Sequence, residues 1–187
     1  MFSTPTANHI YNEEGHRETL DFLLKGSNSH IWWTALGNEI GRLARGINGR
    51  VVSTDTIDFI LKCHVPLNKK VTYANFMCDY RPLKSEPFRI LLTVGGDRLP
   101  YDNDACSPAA SLLETKLLAN SVISDAHKGA RFLSSDLKDF FLPSPMAEPA
   151  YMRIHYRYFP YDIKALYHLD EIVDQDGYVY IKIKKGI

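Results

Sequence analysis

Two carboxylates three residues apart, Asp136 and Asp139, lie in the run 132–146 (FLSSDLKDFFLPSPM). The flanking apolar residues suit a strand entering a polar-to-apolar turn, which would set Asp136 at a strand edge. Hard divalent cations such as Mg²⁺ take oxygen ligands, usually keep water, and share substrate phosphates with one or two protein carboxylates. A D-x-x-D pair is also an ordinary loop or capping pair, and spacing alone does not separate the two readings.

A second candidate is cationic. Between residues 62 and 98 seven cations (Lys62, Lys69, Lys70, Arg81, Lys84, Arg89, Arg98) face three carboxylates (Asp79, Glu86, Asp97), a local net charge of +4 in a chain whose overall charge is zero. The stretch 79–89 (DYRPLKSEPFR) reads as a hairpin tip with cations on its loop, suited to an anionic ligand; the plain alternative is a solvated turn. Lys182, Lys184 and Lys185 add charge near the end of the sequence. The Val94-Gly95-Gly96-Asp97 turn lacks the glycine and lysine spacing of a phosphate-binding loop and reads as a tight turn after a strand. Cys63, Cys78 and Cys106 are odd in number and contain no C-x-x-C pair, and the seven histidines are not spaced as metal ligands. None is assigned to a metal.

The elements that must position these groups follow from periodicity. The run 18–25 (ETLDFLLK), ended by Gly26, predicts one or two helical turns after a polar tail. Ser29 is placed to cap a longer helix whose buried stripe is Ile31, Trp32, Leu36, Ile40 and Leu43, broken by Gly46, Asn48 and Gly49. Three runs rich in β-branched and aromatic residues follow: TIDFIL, VTYANFMCDY and FRILLTVGG, separated by turn formers. Ser107-Pro108 reads as a helix start leading into SLLETKLLANSVIS. AYMRIHYRYF should be extended, and 161–170 is ambiguous. GYVYIKIKK alternates strictly, with Val179, Ile181 and Ile183 on one face and Tyr178, Tyr180, Lys182 and Lys184 on the other. Asp176-Gly177 is a hairpin-turn signal before it. The expectation is an α+β protein organised as a tail with a short helix (1–28), a helix with a β-region (29–105) and a later sheet on a helix (106–187).

Several of these segments together resemble copia-type retrotransposon reverse transcriptases over residues 18–187. FLSSDLKDFFL resembles the first palm motif, TALGNEIGRLARG the opening helix, and DTIDFI with VTYANFMCDYRPLKSEPFRILLTVGGDRL the fingers hairpin. SPAASLLETKLLANSVIS resembles the helix before the motif. YMRI and GYVYIKIKKGI resemble the segments leading toward the next one. The resemblance implies reverse-transcriptase-like fingers with an incomplete palm, an antiparallel sheet packed on helices. It implies an RNA-directed DNA polymerase that incorporates dNTPs on a template–primer. Asp136 would be the catalytic, metal-binding carboxylate for Mg²⁺ or Mn²⁺, with Leu137 beside the triphosphate. Phe141 would lie under the deoxyribose, and Arg89 and Lys84 would be the fingers cations closing on the phosphates. Two metals held roughly 3.5–4 Å apart would activate the primer hydroxyl and neutralise the leaving pyrophosphate.

The sequence departs from that pattern in three places. Leu91 stands where the family has a second arginine, and Pro143 stands where it commonly has asparagine. No aromatic-x-Asp-Asp turn follows Met146, and Asp174 and Asp176 have the wrong flanks for one. The expectation is therefore a polymerase fragment, inactive alone, that holds metal poorly. The alternatives are a noncatalytic nucleic-acid-binding or interaction module, or the product of a decayed element. An open sheet face would favour self-association. With no long apolar run and no signal-peptide pattern, an intracellular protein without a membrane anchor is expected.

Overall fold

The computed structural model describes residues 10, 18–99, 110–133, 142 and 144–186. Contacts divide the chain into two units, Met1–Leu99 with Phe141–Ile187, and Pro100–Phe140.

The first unit is built on one five-stranded sheet in the order β1-β5-β4-β2-β3, formed by β1 (Ile57–Ile60), β2 (Val71–Tyr80), β3 (Phe88–Val94), β4 (Pro145–His155) and β5 (Tyr178–Lys185). β1–β5, β5–β4 and β2–β3 are antiparallel, whereas β2 and β4 run parallel through Val71↔Tyr151, Thr72↔Met152 and Tyr73↔Arg153. The protein is α+β, but its sheet is mixed rather than antiparallel. Strands before residue 100 and after residue 140 pair in this one sheet, and Pro100–Phe140 clusters separately.

Strand alternation sorts the side chains into two faces. Ile57 and Phe59 of β1, Thr72 of β2, Ile90 and Leu92 of β3, Met152 and Ile154 of β4, and Val179, Ile181 and Ile183 of β5 share one face by register, and all but Phe59 are buried. The helix α2 (Ser29–Leu43) adds Trp32, Leu36, Ile40 and Leu43 to the same core, as the periodicity requires. Each such side chain, once fully buried, contributes about 1.5–3 kcal/mol. The helix α4 (Tyr161–Leu166) brings in Ile163, and α1 (Leu20–Leu23) buries Leu20 and Leu23. Ile31 is only half-buried, and Asn28, not Ser29, occupies the N-cap of α2 without a side-chain capping bond.

One buried group of α2 is charged. Glu39 has 5% of its side chain exposed. Its Oε1 accepts the Leu92 backbone N–H at 3.1 Å, and its Oε2 accepts from the Arg42 guanidinium at 2.7 and 3.2 Å. β3 is an edge strand, so this contact satisfies an outward amide and blocks further strand pairing there.

The Asp176-Gly177 signal marks a turn, but not a tight hairpin between two strands. β4 ends at His155, and a 3₁₀ turn over Tyr156–Tyr158, where the sequence suggested extended chain, then α4 and a 3₁₀ turn over Leu169–Glu171 precede β5. Gly177 adopts φ 78°, a left-handed value that favours glycine. Asp174 organises the turn: its Oδ1 accepts the Asp176 and Tyr178 amides at 3.0 and 2.8 Å, and its Oδ2 accepts from Lys62 Nζ at 3.0 Å. Burial pushes the Asp174 carboxyl up, but the Tyr178 amide and the Lys62 ammonium outweigh it and leave the group below its ordinary value.

In the second unit, α3 (Leu112–Ser124) starts from a capping box. Ser111 Oγ accepts the Glu114 amide at 3.2 Å, and the Glu114 carboxylate accepts the Ser111 amide at 2.6 Å. Ser111 therefore caps this helix; the pair proposed from sequence, Ser107-Pro108, lies outside the described residues. Residues 131–133, expected to enter a strand, are in neither helix nor strand.

Two predictions follow from these contacts. Glu39→Ala, which leaves the Leu92 amide without its acceptor, is expected to cost about 2–4 kcal/mol in denaturant unfolding, and Glu39→Gln, which keeps an acceptor, less. Asp174→Asn is expected to lower thermal stability at neutral pH. Because the native carboxyl is depressed, its contribution is present above the unfolded value of about 3.9 and lost as pH falls through the native value. The gap between the two proteins should close in acid.

Candidate functional site

The hairpin of β2 and β3 runs in continuous register from Ala74↔Val94 to Tyr80↔Phe88, as the sequence anticipates. Its tip is closed by the Arg81 amide on the Pro87 carbonyl at 2.6 Å and the Lys84 amide on the Arg81 carbonyl at 3.0 Å. Aromatic packing anchors the base of the tip: Tyr80 and Phe88 have ring centroids 5.0 Å apart, and Trp32 of α2 meets Phe88 edge-on at 5.3 Å. Together with Phe22, Tyr80, Trp32 and Phe88 line a cleft of about 510 Å³.

Arg89 is half-buried on β3, opposite Asp79 and on the sheet face turned away from the core. No carboxylate among the described residues lies within ion-pair distance of Arg89 or of exposed Lys84. Arg81 differs: it turns back so that its Nε lies 3.8 Å from Asp79 Oδ2. The buried Asp79 Oδ1 and Arg81 Nε both lack a hydrogen-bond partner among the described residues. The hairpin thus carries one cation beside a carboxylate, Arg81, and two with none within ion-pair distance among the described residues, Arg89 and Lys84. A planar guanidinium fork and an ammonium offer a phosphate several charge-assisted bonds. Leu91, two residues on, shares Arg89's face and adds no charge.

Asp136, Leu137 and Phe141, the other residues assigned from sequence, lie outside the described residues, as do Asp139 and Pro143. Among the described residues no group of three His, Cys, Asp or Glu side chains could hold a metal ion. Asp174 and Asp176, the one other close carboxylate pair discussed from sequence, both face Lys62, at 3.0 and 3.7 Å. They do not form a divalent-cation site.

A feature that the sequence only half showed lies on the same outward face. Tyr73 of β2 and Arg153 of β4 are direct register partners, and Arg153 is paired in turn with Tyr180 of β5. The Arg98 guanidinium lies 5.0 Å from the Tyr73 ring centroid, that of Arg153 4.4 Å from Tyr178, and Lys62 Nζ 5.6 Å from Tyr180. All are within cation–π range. Alternation along GYVYIKIK put Tyr178 and Tyr180 on one face; their partners needed the cross-strand register. The Gly95-Gly96 turn positions the near end of this row. The Gly95 amide donates to the Tyr73 carbonyl at 2.9 Å, and the Tyr73 hydroxyl donates to Asp97 Oδ1 at 2.8 Å. A Cβ at Gly95 would meet the Tyr73 ring at 2.5 Å and Thr72 Oγ1 at 2.9 Å, so the turn makes room for the tyrosine rather than for a phosphate.

No family model matches this chain, and neither the curated proteins nor the solved structures contain a match. No helix among the described residues is long and apolar enough to cross a membrane.

Gly95→Ala is expected to displace the Tyr73 ring and to cost about 1–3 kcal/mol, as overpacking typically does. A lowered unfolding midpoint, with a change in tyrosine near-ultraviolet dichroism, would register both effects.

Proposed function

We propose that these residues are the fingers and part of the palm of a retrotransposon RNA-directed DNA polymerase of the copia type, unable to polymerise by themselves. The observation that carries the proposal is the β2–β3 hairpin, with Arg89 on its outward face and Lys84 on its loop, neither paired to a carboxylate among the described residues. In this reading the two cations grip the triphosphate of an incoming nucleotide, the role the resemblance gives them. The resemblance would make Asp136 the carboxylate toward Mg²⁺ or Mn²⁺ and give Leu137 and Phe141 their roles toward the triphosphate and the deoxyribose. The metal ions, when bound to the intact enzyme, would neutralise charge on the transferring phosphoryl group.

The chain's own contribution is positioning. The hairpin is stiffened by seven register pairs and by the Trp32–Phe88–Tyr80 aromatic contacts, so Arg89 is presented from a rigid strand. A fork held on a strand loses little freedom on binding, which favours both affinity and orientation. With Leu91 in place of a second arginine, the grip is weaker than the family pattern implies. Without the aromatic-x-Asp-Asp turn, one half of the carboxylate set is missing from these residues.

Two measurements test this. Primer extension by the purified 187-residue chain with Mg²⁺ or Mn²⁺ is expected to give no incorporation; clear incorporation would refute the inactivity. Binding of a deoxynucleoside triphosphate is expected to weaken roughly tenfold in Arg89→Ala and less in Arg89→Lys, since hydrogen bonds to charged groups contribute about 1.5–3 kcal/mol. Equal binding by Arg89→Ala would remove Arg89 from the nucleotide site.

A further inference from the structure

We propose that the outward face of the sheet is a binding track for single-stranded nucleic acid, with the row Arg98, Tyr73, Arg153 and Tyr178 as its contact surface. The row belongs to no residue set assigned to nucleotide chemistry, and the proposal stands on it alone, whether or not the chain derives from a polymerase.

The geometry has three parts. First, cations and rings alternate across strands rather than along one. Arg98 lies over Tyr73 of β2, Arg153 of β4 pairs with Tyr73 by register, and its guanidinium lies over Tyr178 of β5. Lys62 over Tyr180 extends the sequence to the edge next to β1. Two strand spacings, from β2 through β4 to β5, make this row about 10 Å wide. Second, the row is accessible: Tyr73 is 40% exposed, Arg98 and Arg153 are exposed, and Tyr178 is half-buried. Tyr180 is 4% exposed and serves as a floor under Lys62 rather than as a contact. Third, the charge is uneven. Lys62 is held by Asp174 and Asp176, and Asp97 lies beside Arg98 through its bond to Tyr73. Arg153 has no carboxylate within ion-pair distance among the described residues, so the centre of the row is its most cationic point.

A planar guanidinium already stacked on a tyrosine leaves its outer surface free to stack on a base while its N–H groups reach phosphate. Rings interleaved with cations on one sheet face suit unpaired bases, which stack on aromatic side chains without sequence preference, and a backbone that needs a positive path. An acidic peptide would supply the charge but no planar groups to use the rings. A duplex keeps its bases stacked on one another and away from the protein surface. Single-stranded nucleic acid is the partner whose chemistry uses both halves of the row.

Fluorescence anisotropy with a labelled oligothymidylate tests the proposal. The chain is expected to bind it in a salt-sensitive manner and more tightly than a duplex of equal length. Tyr73→Ala and Arg153→Ala should each weaken binding roughly tenfold, in line with the loss of one stacking contact. Tyr73→Phe, which keeps the ring and loses only the bond to Asp97, should bind nearly as well as the parent. Arg153→Lys, which keeps charge without a planar fork, should fall between. If Tyr73→Ala fails to fold by circular dichroism, Arg153→Ala, at an exposed side chain, decides. Equal affinity for single strand and duplex, or binding unchanged in Arg153→Ala, would overturn the proposal. Triphosphate binding that depends on Arg89 reports on the polymerase reading instead, so either proposal can fail while the other stands.

Discussion

The buried contact between Glu39 and the Leu92 amide ties α2 to the edge strand β3, where the helix covers the apolar face of the sheet. A carboxylate this buried is stable only with its acceptors occupied, and here an edge-strand amide and the Arg42 guanidinium occupy them. With α2 fixed, Leu36, Ile40 and Leu43 close the apolar face over Ile90 and Leu92. Everything with chemistry to offer is then forced to the other face by strand alternation: Arg89, Tyr73, Arg153 and Tyr178.

Charge on that face is distributed differently from charge along the chain. The excess of cations between residues 62 and 98 looks like one basic patch in the sequence. In the structure much of it is neutralised by distant carboxylates. Lys62 meets Asp174 and Asp176, Lys69 meets Glu148, and Arg81 approaches Asp79. Lys184, in the other basic stretch, is held by Asp55 and Asp58 at 2.7 and 3.1 Å. Lys70, Lys84, Arg89 and Arg98 of the stretch 62–98 have no carboxylate within ion-pair distance among the described residues, and Arg153, outside both stretches, stands likewise among tyrosines. An anion approaching this face meets a few oriented cations rather than a diffuse field, which favours specific contact over general attraction.

The sequence made the local elements legible and left their assembly hidden. VTYANFMCDY became β2 over its full length because β-branched and aromatic residues fill a pleated strand whose ends are set by turn formers. The stripe of α2 emerged because a 3.6-residue period has no other explanation. The parallel pairing of β2 with β4 had no signal, since it joins residues about eighty positions apart through three register pairs. Glu39 was missed for a related reason: a glutamate in a helix reads as solvated until an edge strand is placed beside it. At α2 it is Asn28, one residue before Ser29, that takes the N-cap, without a side-chain capping bond, whereas α3 starts from the Ser111–Glu114 capping box. As for the candidate site, the cationic hairpin tip is legible in the residues, and the resemblance singles out Arg89 and Lys84 on it. The tyrosine–arginine row needed cross-strand register to be seen.

We propose that the β2–β3 hairpin receives a nucleotide, with the core face taking no part. Backbone amide shifts followed by NMR during titration with a deoxynucleoside triphosphate and Mg²⁺ test this most directly. Changes are expected at Arg81, Lys84 and Phe88 through Leu91, with the amides of α4 and the buried half of α2 undisturbed. Changes confined to α4, or none on the hairpin at saturating nucleotide, would contradict it.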